Sequence, residues 1–163
     1  MRSAFEVAPA LLHDREQLHA KEAEFREELA RQARRWVGTP YFPREARCGL
    51  GCDCGSLLAG IYRDAGIIGS FRMSSYDWMA AWAVKDGDEI YLQALCAYFH
   101  EVALPGRGDV AMYRLGRGWS HGAIVIQWPG EIIHAGRGHG VIASPGTSGR
   151  LAARRMRFWS IFP

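Results

Sequence analysis

The first part of the chain carries hydrophobic residues at helical spacing. A first helix is predicted to begin at Asp14, which has Gln17 three residues later as a capping-box partner, and to end at Gly38 and Pro40. Its apolar face is marked by Phe25, Leu29, Ala33 and Trp36. After a loop over residues 39–53, a second helix is traced by Leu57, Leu58, Ile61 and Ala65 and closed by Gly66.

The second part of the chain changes from helical to strand-like patterns. A third amphipathic helix is predicted from Asp88 to Phe99, and the segment from Phe71 to Lys85 is aromatic-rich without a clean period. Five strand-like runs follow: Asp109 to Leu115, His121 to Trp128, Glu131 to Ala135, Val141 to Ser144 and Met156 to Phe162. The links between them are too short for crossovers, so the strands are expected to be mostly antiparallel. Helices followed by such a meander indicate an α+β domain.

Composition and charge limit the class of protein. The 163 residues, 48% of them hydrophobic, suffice for one domain with a core of its own. A formal charge of +3 favours contact with a polyanion only weakly, so no nucleic-acid partner is predicted. No apolar run is long enough to cross a bilayer, and the first residues lack a signal-peptide pattern. Synthesis in the cytoplasm, without a signal peptide, is therefore expected.

Candidate chemistry centres on Cys54, which lies where a loop of glycines and cysteines runs into the second predicted helix. The free N–H groups and the dipole of a helix N-terminus favour the thiolate, which is the reactive form of cysteine. His121 opens one predicted strand and His134 lies in the next. A cysteine followed by two histidines suggests nucleophilic thiol catalysis.

The cysteines could also have a structural or a metal-binding role. Cys54 could be a small buried residue, which is how most free cysteines behave. Cys48, Cys52 and Cys54 could instead bind zinc with His139 or another histidine, although Cys52 and Cys54 are too close in sequence to form a second ligand pair. Neither a metal nor a cofactor is predicted, because thiol catalysis needs none.

Five motifs in a fixed order carry a family resemblance. They are Trp36-Val37-Gly38-Thr39-Pro40-Tyr41, Gly51-Cys52-Asp53-Cys54, Pro105-Gly106-Arg107-Gly108-Asp109-Val110, His121-Gly122-Ala123-Ile124 and Ile133-His134-Ala135. With these motifs the chain resembles the NlpC-type cell-wall cysteine peptidases, and it looks closest to the branch encoded by phages and phage-like particles as tail peptidases. The resemblance assigns residues 31–163 to the peptidase domain and leaves residues 1–30 as an N-terminal helical extension.

The resemblance implies a papain-like fold, with the nucleophile at a helix N-terminus packed on an antiparallel sheet. By position it makes Cys54 the nucleophile, His121 the base and His134 the residue that orients the base. The substrate-binding candidates are Tyr41, Asp53 and Ser56. Ser56 is included because Gly55 departs from the family, whose members usually carry serine or a larger residue directly after the nucleophile.

The spacing of the two histidines raises a geometric difficulty. A two-residue turn at Pro129-Gly130 would set His134 opposite Val125, four residues along the strand from His121. Contact between the histidines would then require a shifted register or a bulge.

The function that the resemblance implies is hydrolysis of an amide bond in peptidoglycan stem peptides, at the bond between D-glutamate and the diamino acid. Other phage tail proteins are the expected partners, and the enzyme would be incorporated in a tail or released by lysis. Two alternatives remain. One is a tail-assembly protein with weak or no hydrolase activity, and the other is a thiol amidase or acyltransferase that acts on a substrate outside the wall.

Overall fold

The computed structural model describes residues 5–7, 10–73, 92, 95–116 and 118–163 of the chain. The helices are α1 (Arg15–Ala20), α2 (Glu22–Trp36) and α3 (Cys54–Asp64), with a short 3-10 turn at Gly149–Leu151. The strands are β1 (Phe5–Val7), β2 (Ala46–Arg47), β3 (Gly51–Cys52), β4 (Arg72–Met73), β5 (His100–Val102), β6 (Val110–Leu115), β7 (Gly118–Gln127), β8 (Glu131–Gly136), β9 (Gly140–Ser144) and β10 (Met156–Ser160). No helix among these residues is long and apolar enough to span a membrane.

The first predicted helix is divided in two. Asp14 caps α1 as expected, since its carboxylate accepts a hydrogen bond from the Gln17 N–H at 2.8 Å. Lys21 then leaves the helical conformation, with φ −115° and ψ 20°, and α2 begins after it. Acidic residues in the first turn of α2 and basic residues in its last turn suit the helix dipole, so α2 is a well-formed helix of its own.

A six-stranded antiparallel sheet forms the other layer, in the order β5-β10-β6-β7-β8-β9. The five predicted strand runs correspond to β6 to β10, and their antiparallel pairing is confirmed. The sequence did not predict β5, which is only three residues long. Nor did it predict β2 and β3, which pair within the segment 39–53 that composition assigned to loop.

Both faces of the sheet are covered. α2 and α3 pack on one face, where Met112, Ile124 and Ile133 join the main core, and a smaller cluster with Tyr113 and Val125 lies on the other face. Burial on both faces explains why the central strands read as continuous apolar runs rather than as alternating ones.

The two long helices meet at Trp36, which is fully buried. Its indole N–H donates to the carboxylate of Asp64 at 3.0 Å, at the end of α3. A side chain at Gly60 would place its Cβ 2.6 Å from the Trp36 ring, so glycine is required for this close packing. The contact fixes the axis of α3, and with it the position of Cys54 at the start of that helix.

A second link ties α2 to the loop before β6. Arg26 donates to the carboxylate of Asp109 at 2.9 Å and to the carbonyl oxygen of Arg107 at 2.6 Å, and its guanidinium lies 4.4 Å from the centre of the Phe162 ring. Burial raises the pKa of Asp109, and the neighbouring Arg26 opposes that rise. Arg26 therefore joins the first part of the chain to the sheet and to its last residues.

Two predictions fall partly or wholly outside the described residues. Of the predicted helix from Asp88 to Phe99, residues 92 and 95–99 are described: Leu92, Leu95 and Cys96 are helical, whereas residues 97–99 lie beyond the end of the helix. The aromatic-rich segment from Phe71 to Lys85 is described only to residue 73, where β4 pairs with β1.

The division predicted after residue 30 falls inside α2, so it does not coincide with a break between secondary-structure elements.

Candidate active site

Cys54 is the first residue of α3, and its position is fixed by a complete capping box. Asp53 is the N-cap, and its carboxylate accepts hydrogen bonds from the N–H groups of Gly55 at 3.0 Å and Ser56 at 2.9 Å. The Ser56 hydroxyl in turn accepts from the Asp53 N–H at 2.9 Å. These reciprocal bonds satisfy the N–H groups of Gly55 and Ser56 in the first turn and hold the thiol at the positive end of the helix dipole.

The two polar neighbours of Cys54 are themselves buried. Asp53 is 8% exposed, and its second carboxylate oxygen accepts from the Arg44 N–H at 2.9 Å, which fastens the preceding loop to the helix start. Arg44 holds a left-handed conformation, with φ 64°, at this point. Ser56 is 0% exposed and its hydroxyl serves the cap. The geometry thus gives both residues a structural role, and the substrate-binding role predicted for each stays a prediction.

The thiol lies against strand β7. The Sγ of Cys54 donates to the carbonyl oxygen of Ser120 at 3.6 Å, and Ser120 directly precedes His121. Cys54 is only partly buried, unlike the fully buried Cys52. The structure therefore brings the predicted nucleophile to the backbone next to the predicted base, and leaves the thiol partly open to solvent.

The two predicted histidines are in contact. The Nε2 of His121 lies 3.0 Å from the Nδ1 of His134, and the two rings meet edge to face. The register expected from a two-residue turn is wrong: His134 pairs with Ala123 and not with Val125. The pairing shifts between Val125 and Gln127, so an irregularity near the end of β7 moves His134 two residues closer to His121.

His134 also contacts residues of β9 and of the turn before it. The Nε2 of His134 lies 3.0 Å from the hydroxyl of Ser144, the last residue of β9. On its other side, the ring of His139 lies 5.7 Å from that of His134, centre to centre. Sequence reasoning missed Ser144. Antiparallel pairing of the predicted strands Glu131 to Ala135 and Val141 to Ser144 would have placed it diagonally across from His134.

Both histidines of the pair are held in the neutral form. Burial, followed by the neighbouring His134 and His139, lowers the pKa of His121 to about 3. Burial, followed by His139, lowers the pKa of His134 to about 4. Both imidazoles are therefore uncharged at neutral pH, so His121 has a lone pair that can accept a proton.

Tyr41 borders the same site. It forms a parallel bridge with Cys52, and burial, together with the nearby Cys54 and Asp53, raises the pKa of its phenol to about 12. A hydrogen bond from Arg137 opposes that rise. The phenol is accordingly protonated at neutral pH and can donate a hydrogen bond.

The chain just before Tyr41 is anchored to β9. The Gly38 N–H donates to the Val141 carbonyl at 2.9 Å, and the Val141 N–H donates to the Thr39 carbonyl at 2.9 Å. Gly140, with φ 68°, permits this approach, because a Cβ there would collide with the Thr39 carbonyl oxygen. The Gly-Thr-Pro-Tyr segment is thereby fixed to the hairpin that carries the histidine contacts.

The remaining cysteines give little support to a metal centre. All four cysteines are thiols rather than members of a disulfide. Burial raises the pKa of Cys52 to about 12, and the Cys48 thiol donates to the Arg35 carbonyl oxygen at 3.3 Å. Among the described residues, no group of three or more histidine, cysteine or acidic side chains is arranged to hold a metal ion.

Comparison with known proteins identifies the fold. No protein-family model matches the sequence. No curated protein matches it either. Among solved structures, the chain is similar to the NlpC/p60 domain of the peptidoglycan hydrolase SagA, with 19% identity and a TM-score of 0.52 over 81% of this chain and 96% of that domain.

Two further structures agree with this assignment. The peptidoglycan hydrolase RipB of Mycobacterium tuberculosis is 20% identical, with a TM-score of 0.57 over 88% of this chain and 68% of RipB. A lipoprotein-like NLP/P60 protein of Staphylococcus aureus is 17% identical, with a TM-score of 0.61 over 96% of this chain. The chain spans 45% of the length of that staphylococcal protein. The protein therefore has the α+β, papain-like fold of NlpC/p60 domains, as the sequence predicted.

Proposed function

We propose that the protein is a cysteine peptidase that hydrolyses an amide bond in the peptide stems of peptidoglycan. One observation carries the proposal. In an NlpC/p60 fold, a partly exposed thiol at a helix N-terminus lies against the strand that bears a neutral histidine, and a second histidine contacts the first. Fold alone does not define chemistry, so the proposal depends on these side chains.

The residues support a two-step reaction. In the first step the Cys54 thiol proton passes to His121, and the sulfur attacks the amide carbonyl to form a tetrahedral intermediate. Its oxyanion would be stabilised by the N–H of Cys54 at the start of α3 and by the protonated phenol of Tyr41. The C–N bond then breaks, His121 returns its proton to the leaving amine, and water hydrolyses the thioester in the second step.

The environment of His121 favours its role as the proton donor to the leaving amine. Because burial lowers its pKa to about 3, the imidazolium that forms is a strong acid for the leaving amine. His134, neutral at the working pH, can accept a hydrogen bond from that imidazolium and so stabilise it. We assign His134 as the residue that orients His121.

The finer points of the proposal come from the sequence resemblance. The bond between D-glutamate and the diamino acid is the proposed site of cleavage, with Asp53 and Tyr41 nearest to the stem peptide. We further propose that the protein acts as a component of a phage or phage-like tail and contacts other tail proteins, or is released by lysis after synthesis in the cytoplasm.

The test is mass spectrometry of purified muropeptides after incubation with the wild-type protein, Cys54→Ala and Cys96→Ala. Cys96 is an exposed free thiol outside α3 and serves as the matched control. We expect stem fragments from the wild type and Cys96→Ala only, with masses that identify the bond. If folded wild-type protein releases no fragments from walls of several types, the peptidase proposal fails, and a tail-assembly protein or a thiol amidase with another substrate is favoured instead.

A further inference from the structure

We infer that Ser144 is a positioning residue that fixes which nitrogen of each catalytic histidine carries a proton. The inference rests on the proposed thiol chemistry and deepens it. Its basis is a chain of three contacts: His121 Nε2 to His134 Nδ1 at 3.0 Å, His134 Nε2 to the Ser144 hydroxyl at 3.0 Å, and that hydroxyl to the Pro145 carbonyl oxygen at 3.4 Å.

The bond from Ser144 to Pro145 determines which atom donates in each of the three hydrogen bonds. A carbonyl oxygen can only accept a hydrogen bond, and in the proposed arrangement the Ser144 O–H donates to that of Pro145 at 3.4 Å. The oxygen of Ser144 is then free to accept, and the Nε2 of His134 carries the hydrogen that it receives. A neutral imidazole has one N–H, which leaves the Nδ1 of His134 as an acceptor.

The protonation of His134 then determines which nitrogen of His121 carries a hydrogen. Its Nε2 must carry the hydrogen that is donated to the Nδ1 of His134, which leaves the Nδ1 of His121 with a lone pair. Nδ1 is the ring nitrogen nearer its own backbone, and the Cys54 thiol lies against that backbone at Ser120. The chain of contacts therefore presents the basic nitrogen of His121 on the side of the thiol.

The opposite direction would disable the base. If His134 carried its hydrogen on Nδ1, it would donate to the Nε2 of His121, and His121 would hold its own hydrogen on Nδ1. The thiol proton would then have no acceptor there. Ser144 thus selects between a form of the pair that can deprotonate Cys54 and a form that cannot.

Several groups face the pair and bear on its pH dependence. His121 contacts His134 from β7, His139 lies beside His134 from the turn before β9, and Tyr113 faces His121 from β6 with ring centres 6.1 Å apart. Burial raises the pKa of Tyr113, whose hydroxyl donates to the Gly146 carbonyl oxygen. The tyrosine therefore stays neutral over the range of interest.

The experiment compares Ser144→Ala with Ser148→Ala. Ser148 also donates to the Pro145 carbonyl, at 2.9 Å, and has no contact with His134, so it is the matched control for the turn. We expect Ser144→Ala to lower kcat on stem peptides about tenfold with little change in KM, and Ser148→Ala to behave as wild type. Ser144→Thr, which keeps the hydroxyl, should restore most of the rate.

A second readout needs no substrate. Alkylation of Cys54 by iodoacetamide, followed on its own peptide by mass spectrometry, should be about five- to tenfold slower at pH 6 in Ser144→Ala, with the pH profile displaced upward. This measurement separates the inference from the proposed function, because it works even if the wild type cleaves no stem peptide.

Two outcomes would overturn the inference. Equal alkylation profiles in the wild type and Ser144→Ala would show that the serine does not set the protonation of the pair, and equal losses in Ser144→Ala and Ser148→Ala would point to the turn itself. If Ser144→Ala does not fold, Ser144→Thr and Ser144→Val have the same shape and differ only by a hydroxyl. The valine variant should then show the loss and the threonine variant should not.

Discussion

The two sides of the candidate active site are held by different kinds of structure. On the thiol side, the start of α3 is fixed by bonds from Asp53 to residues at most nine positions away in sequence. On the histidine side, His121 and His134 are 13 positions apart and meet only because β7, β8 and β9 pair in one register. The first arrangement is local, and the second depends on the whole sheet.

This difference predicts separable effects of substitution. The capping bonds form whenever α3 forms. Substitutions that remove them should therefore lower mainly the stability of the helix start and its loop. The histidine contact requires two hairpins to align, and a shift of one residue would turn a side chain to the other face of the sheet. Substitutions at the two histidines should therefore lower mainly the catalytic rate and leave the rest of the molecule intact.

The largest expected effect is on the histidine side. His121→Ala should lower kcat/KM on stem peptides by about 10³-fold, because the general base and the proton donor for the leaving amine are both lost. Steady-state kinetics on purified muropeptides checks this. His100→Ala, at an exposed position in β5, is the control and should keep full activity. A His121→Ala enzyme within tenfold of the wild type would place the base elsewhere.

The pH dependence of folding should report on the same pair. The pKa values of His121 and His134, about 3 and 4, lie below the ordinary value of 6.5, so the unfolded chain binds protons first as the pH falls. Their contribution to stability is complete above pH 6.5 and declines toward pH 4, by on the order of 2 kcal/mol for each histidine.

Urea denaturation at a series of pH values measures this decline. His134→Gln cannot titrate, so its free energy of unfolding should fall less steeply than that of the wild type between pH 6.5 and pH 4.5. Parallel curves for the two proteins would mean that His134 is not held neutral by the fold.

The smallest expected effect is on the thiol side. Asp53→Ala removes the acceptor for the N–H groups of Gly55, Ser56 and Arg44, and should lower the free energy of unfolding by about 1 to 2 kcal/mol. Asp14→Ala is the matched control, since Asp14 caps α1 at an exposed site through one bond, and should cost less. Equal losses from the two substitutions would contradict a special role for the Asp53 cap.

The same contrast explains what could be predicted from sequence. The start of α3, the cap at Asp14 and the strands β6 to β10 follow from short patterns, and all of them are present in the structure. The register of His134 could not be predicted, because the irregularity between Val125 and Gln127 is set by the packing of the whole sheet. Ser144 is different, because regular pairing of the predicted strands that became β8 and β9 places it diagonally across from His134.

The contacts of Arg26 limit how far this protein can be truncated from its N-terminus. The family resemblance begins near residue 31, which makes residue 30 an attractive place to cut. Such a cut would divide α2 and remove the guanidinium that pairs with the buried Asp109, and a buried carboxylate that has lost its cationic partner destabilises a fold. It would also remove the fully buried Leu18 and Leu29. A minimal version of the domain should therefore keep α1 and its capping residue Asp14.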